Sequence, residues 1–181
     1  MVIGVDLGNK SRNSSCVMDG DKLLEWSRLN YADAKNTLDH RKKIVKQIKE
    51  YIKKYKLTKN DYLLFEQIFF SKGLSRMANI TSMAFLQATL INEFSDKINI
   101  VEVHVQSWKC KVLGSRSATK EDAVALVEKN YPQVDLNIEI QRKRKGTEII
   151  KDNDTADAIC ISLYSQFVDK KKLEEHLVNY N

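Results

Sequence analysis

The chain has 181 residues, 43% hydrophobic and 30% charged, which is enough apolar material for one well-buried core and far from the composition of a disordered or fibrous chain. Its 30 Lys and Arg outnumber 24 Asp and Glu for a net charge of +6, which favours anionic partners. Cys16, Cys110 and Cys160 lack CxxC or zinc-like spacing, so a disulfide framework is excluded and the thiols read as reduced, as in a cytoplasmic protein.

Met1 leads straight into a strand-like segment, so no signal peptide is expected, and no apolar run reaches membrane-spanning length. Val2–Asp6 is β-branched and apolar. Turn residues at Leu7-Gly8-Asn9 and at Asp19-Gly20-Asp21 separate it from Ser14–Met18 and Lys22–Leu29, which predicts three antiparallel strands. Residues 33–57 carry Leu38, Val45, Ile48, Ile52 and Tyr55 at helical steps, with lysines on the opposite faces. Tyr62–Glu66 is apolar up to its last residue and suits the middle of a parallel sheet. A helix is predicted over about 74–95, where small residues and Met alternate with Ile80 and Ile91.

Ile98–Val105 alternates valines with Glu102 and His104, as an edge strand does. A loop through Gly114, a helix from Thr119 to Asn130, a polar and basic excursion over 133–151, and a last helix from Asp154 to about Val168 complete the chain. Residues from about 169 to 181 are expected to fray. The predicted architecture is a single α/β domain over residues 1–181: a five-stranded mixed sheet, its first three strands antiparallel, with helices on both faces.

Four acids stand out against this layout. Asp6 and Glu66 close two apolar strands, and Asp154 and Asp157 lie three apart at the mouth of an apolar helix. Carboxylates delivered beside a core by separate elements need a compensating cation, and oxygen-only donors suit a hard one such as Mg²⁺. Taken singly, each has a plainer reading: an Asx turn for Asp6, helix capping for Asp154 and Asp157. Asp152 is a neighbouring acid that could take the place of Asp154, but only Asp154 shares a helical face with Asp157.

Gly4-Val5-Asp6-Leu7-Gly8, Phe65-Glu66-Gln67-Ile68-Phe69, Lys109–Gly114 and Asp154-Thr155-Ala156-Asp157-Ala158, taken together and in order, resemble the RuvC-type Holliday junction resolvases of the ribonuclease H-like/retroviral integrase superfamily, and most resemble a bacteriophage-encoded member. The resemblance covers nearly the whole chain. It implies a ribonuclease H-like fold, a homodimer, and two Mg²⁺ ions held by Asp6, Glu66, Asp154 and Asp157; whether Mn²⁺ substitutes is left open. Such proteins nick four-way DNA junctions symmetrically, which places this one in the cytoplasm of a bacterial host. The resemblance also implies that Phe69 stacks on bases at the opened crossover and that Lys109 and Lys120 approach the scissile phosphate. The basic stretch Gln141–Lys151 is longer than the resemblance to cellular members implies, and the tail after Lys170 is not matched in it.

Lys109, Lys111, Arg116 and Lys120 form a basic run with no acid between 103 and 120, suited either to phosphate contact or to plain solvation. Lys120 sits in a first helical turn, where a cation is disfavoured unless an anion docks there. Lys72 and Arg76, beside Phe69 and Phe70, are assigned to backbone phosphates; the alternative for the two rings is the core. Lysines and Arg41 along 41–54 read as a solvated face, and His40, His104 and His176 as structural. Asp6, between the other acids, is the expected bridging ligand. The sequence also admits a nuclease of RNA–DNA hybrids, structured RNA or other branched DNA, and a non-catalytic branched-DNA-binding protein. A sugar-kinase or actin-like ATPase fragment needs a second Gly-rich phosphate loop, and only six Gly occur.

Overall fold

The computed structural model describes residues 1–7, 12–30, 36–68, 74–142 and 146–178. Strands β1 (Val2–Asp6), β2 (Arg12–Asp19) and β3 (Lys22–Asn30) run antiparallel to one another in sequence, and Asp19 pairs with Lys22 across a two-residue turn. Gly20 in that turn has φ +60°, the left-handed conformation such tight hairpins require. Helix α1 (Thr37–Tyr55) starts four residues later than its periodicity predicts, because the Asn36 side chain accepts from the Asp39 amide and fixes the first turn there.

Strand β4 (Tyr62–Glu66), helix α2 (Leu74–Phe94) and strand β5 (Asn99–Val103) follow. The sheet order is β3-β2-β1-β4-β5, with β1, β4 and β5 parallel and β5 at the edge. The fifth strand is shorter than predicted. His104 leaves it and caps helix α3 (Val105–Val112), its ring accepting from the Gln106 amide at 3.1 Å. Residues expected to be a loop are therefore helical from Val105 to Val112.

Helix α4 (Lys120–Asn130) precedes a second correction. The expected excursion over 133–151 contains a two-stranded antiparallel hairpin, β6 (Asn137–Arg142) and β7 (Gly146–Lys151). Helix α5 (Asn153–Leu163), a 3₁₀ turn (Tyr164–Gln166) and helix α6 (Lys170–Glu174) close the chain. Where fraying is expected, Leu173 is buried, Leu177 bridges Val101, and the Val178 amide donates to the Ile100 carbonyl at 3.0 Å. The open edge of β5 is what this tail covers.

Side chains alternate across the pleat, and the alternation decides where the acids go. Ile3, Val5, Val17, Leu63 and Phe65 belong to one core layer, with Ile44 and Ile48 of α1 and Leu90 and Phe94 of α2. Val2, Met18, Tyr62 and Leu64 belong to the other, with Trp108 of α3, Val124 of α4 and Ile159 of α5. Position 4, on that second face, is glycine because α5 comes too close for anything larger: a Cβ there would stand 2.3 Å from the Ala158 carbonyl oxygen.

Candidate active site

Continuing the second-face alternation, Val2-Gly4-Asp6 and Tyr62-Leu64-Glu66 point the same way. The register pairs Gly4 with Leu64 and Val5 with Phe65, so Asp6 and Glu66 emerge side by side at the carboxyl ends of neighbouring parallel strands. In open α/β sheets this is where functional groups gather. Helix α5 packs over the same face, and the three-residue spacing of Asp154 and Asp157 sets both on one side of its first turns.

The charges of the other three acids all reach Asp6. Asp6 has its carboxyl held well above the ordinary carboxylate range, first by burial and then by the charges of Asp157, Asp154 and Glu66. Burial pushes Asp157 up to about 7, with Lys120 opposing and Glu66 reinforcing the shift. Glu66 is raised by burial, against a hydrogen bond from Trp108 and the charges of Lys109, Lys120 and His104. Among the described residues, no group of three or more His, Cys, Asp or Glu side chains is arranged so that it could hold a metal ion. The acids nonetheless fit hard cations: their donors are all carboxylate oxygens, and their crowding raises proton affinity in the way a bound cation would reverse.

Asp152 resolves the capping alternative. Its side chain, 0% exposed, is the N-cap of α5 and accepts from the Thr155 amide. It also pairs with Arg28 and accepts from the Thr155 hydroxyl, which lies 2.9 Å from Ser14 Oγ. Asp152 is thus committed to structure, and Asp154 does not cap the helix.

The cations are placed by α3 and α4. Thr119 caps α4 in a reciprocal box with Asp122, which sets Lys120 as the first helical residue. The charge of Lys120 acts on Asp6, Glu66 and Asp157. A cation at this helix start is therefore relieved by the protein's own acids, and not by a docked phosphate alone. Lys109 Nζ donates to the Ala118 carbonyl at 2.6 Å, and its charge reaches Glu66 and Asp157.

Two supporting groups escape sequence reasoning. Trp108 Nε1 donates to Glu66 Oε1 at 2.8 Å, and Gln87 Nε2 donates to the Glu66 carbonyl at 2.7 Å. The signal for Trp108 was present, since Val105, Trp108 and Val112 recur at helical spacing. Of the remaining expected residues, Lys111 and Arg116 line a cleft that includes Gln67 but none of the four acids. Phe69, Phe70 and Lys72 lie outside the described residues, and of Arg76 only the backbone, in α2, is described.

The raised carboxyls give a first prediction. With Asp157 at about 7 in the folded state against about 3.8 when unfolded, the fold binds more protons than the unfolded chain between those values. The stability this confers is complete below pH about 3.8 and is lost as pH rises through about 7. In chelator, the melting temperature is expected to fall from pH 5 to pH 8, and 10 mM Mg²⁺ is expected to restore it at pH 8 but not at pH 5 (roughly 10,000-fold above a micromolar site). A metal-free melting curve flat across this range would refute the crowding of acids.

The architecture is a ribonuclease H-like α/β fold. No protein-family model and no curated protein matches the chain. Solved structures do. The RuvC structure of Thermus thermophilus is similar with a TM-score of 0.61 at 15% identity, over 97% of this chain and 97% of that one. The T. thermophilus RuvC in complex with Holliday junction substrate is similar with a TM-score of 0.63 at 14% identity, over 97% and 96%. Among the described residues, no helix is long and apolar enough to cross a membrane.

Proposed function

We propose that the chain is a divalent-metal-dependent endodeoxyribonuclease that resolves four-way DNA junctions by paired nicks. The observation that carries this is the mutual electrostatic reach of Asp6, Glu66, Asp154 and Asp157, brought from β1, β4 and α5 to one sheet end. The fold shared with a RuvC solved on a Holliday junction substrate supports the choice of substrate.

In this reading Asp6, Glu66, Asp154 and Asp157 are the residues that would hold two Mg²⁺ ions. Metal bound there supplies charge neutralisation at the phosphate, activation of an in-line water and stabilisation of the leaving oxygen. The protein's own groups orient the rest. Trp108 holds one Glu66 oxygen, leaving the other to face the site. Gln87 fixes the backbone that carries Glu66. Lys120 and Lys109 place positive charge where the scissile phosphate enters. Lys111 and Arg116 belong to the DNA path, as do Phe69, Lys72 and Arg76 by the sequence resemblance.

Paired nicks on opposed strands need two sites, and a homodimer through α2 supplies them. Phe85 on that helix is 57% exposed, and Arg41 lies 5.4 Å over its ring.

The test is incubation of purified protein with a labelled immobile junction, an RNA–DNA hybrid and a flap, with and without Mg²⁺. Symmetrical Mg²⁺-dependent nicks confined to the junction are expected. Preferred cutting of the hybrid would replace the reading with a hybrid nuclease, and metal-independent binding without nicks would leave a branched-DNA-binding protein.

A further inference from the structure

A cleft of about 450 Å³ opens next to Gln67, the residue after Glu66 in the chain. One wall is α3, with His104, Cys110 and Lys111, continued by Arg116 in the loop beyond it. The other wall is the C-terminal segment, with Lys172 of α6 and His176. Among the described residues, no Asp or Glu lines it.

The charge pattern separates this cleft from ordinary solvated lysines. Lys111, Arg116 and Lys172 form no ion pair with any described residue, whereas Lys170, two residues from Lys172, pairs with Glu174 at 3.7 Å. The other basic groove, between α1 and α2, includes Glu93, which binds Lys49 at 2.6 Å and neutralises part of it. Here three permanent cations line one concave surface without a counter-charge, which concentrates positive potential.

Its walls are held in place. Leu173 is buried under α6, and the Leu177–Val101 bridge and the Val178–Ile100 hydrogen bond tie the segment to β5. His104 is fixed as the cap of α3.

We infer that the cleft formed by Lys111 and Arg116 on one side and Lys172 and His176 on the other seats backbone phosphates of the DNA strand leaving the catalytic carboxylates. It rests on the nuclease reading and adds the C-terminal segment to it. Contacts of this kind set register without reading sequence. The strand passes from Glu66 past Gln67 into the cleft, so the C-terminal segment is part of the DNA path and not a cover for β5 alone.

Binding of a labelled four-way junction and of a linear duplex of equal length, in chelator and over a series of salt concentrations, tests it. Lys172→Gln should lower the slope of log K against log salt by about 1, and Lys172→Gln with His176→Gln should weaken binding several-fold at about 0.15 M salt. Lys170→Gln, on the same short helix but ion-paired outside the cleft, is the control and should leave the slope in place. A second readout uses the native protein: Cys16 and Cys160 are buried and Cys110 is exposed, so iodoacetamide should report Cys110, and DNA should slow its alkylation. An unchanged slope with an unprotected Cys110 would overturn the inference, and so would protection by micromolar inorganic phosphate but not by DNA. Absence of nicking with the slope change intact would remove the resolvase reading and leave the cleft standing.

Discussion

Asp6→Asn and Asp157→Asn are each expected to lower junction nicking by about 10³-fold or more, which corresponds to roughly 4 kcal/mol in the barrier. Junction affinity in chelator should stay the same or tighten, because each change removes a negative charge from a surface that receives phosphate. The decisive companion measurement is stability. Asp6 is raised by burial and by Asp157, and Asp157 by burial and by Glu66 and Asp154, so in chelator both oppose folding at neutral pH. A neutral isostere relieves that repulsion, and each variant should melt higher than the wild-type protein at pH 8. An inactive variant that is more stable cannot be dismissed as misfolded, and such an exchange of stability against activity is common at functional sites. Normal nicking by either variant would remove these two residues from the chemistry. Loss of activity with loss of stability would mean that the acids support the fold.

The same residues explain why the cluster can exist. Asp6 and Glu66 follow strands whose other second-face side chains are Val2, Gly4, Tyr62 and Leu64, so the acids end a buried row rather than interrupt it. Gly4 lets α5 approach β1 closely enough to bring Asp157 over Asp6. Removing that glycine would displace the helix that carries half of the acids.

This part of the molecule was legible from the chain because strand periodicity and helix spacing are local and short. Two apolar runs that each end in an acid, and two acids three apart at a helix start, fix directions without knowledge of distant contacts. The parts not legible depend on partners far along the sequence. Trp108 marks an eight-residue helix whose cap is a histidine rather than the usual Ser, Thr, Asp or Asn, so its start carried no familiar signal. The hairpin of β6 and β7 alternates Ile138 and Ile140 with polar residues, but the charges around it outweighed that short pattern. The tail is ordered by Leu173, Leu177 and Val178 docking on β5, which the tail's own composition does not reveal. Choosing Asp154 over Asp152 rested on helical spacing; the reason Asp152 is occupied elsewhere lies 124 residues away, at Arg28.

That pair carries the largest effect expected on stability. The Asp152 carboxylate is fully buried and Arg28 about one-quarter exposed, and the Arg28 guanidinium also donates to the Asp135 carbonyl at 2.9 Å. Arg28→Met leaves a buried carboxylate with only the Thr155 amide and hydroxyl as donors. The expected loss is about 3–5 kcal/mol, or a fall in melting temperature of roughly 6–20 °C. Asp152→Asn in the Arg28→Met background should recover part of that loss, since Asn still caps a helix and brings no charge to bury. A double-mutant cycle by denaturant titration measures the coupling directly. The pair also has a functional consequence, because Asp152 anchors the first turn of α5, which carries Asp154 and leads directly to Asp157. Nicking by folded Arg28→Met should therefore fall even below its melting transition, and the double variant should regain stability before it regains rate. A melting shift under about 2 °C for Arg28→Met would place the pair with exposed ion pairs that contribute little, and α5 would then owe its position to Gly4 and the Ile159 layer alone.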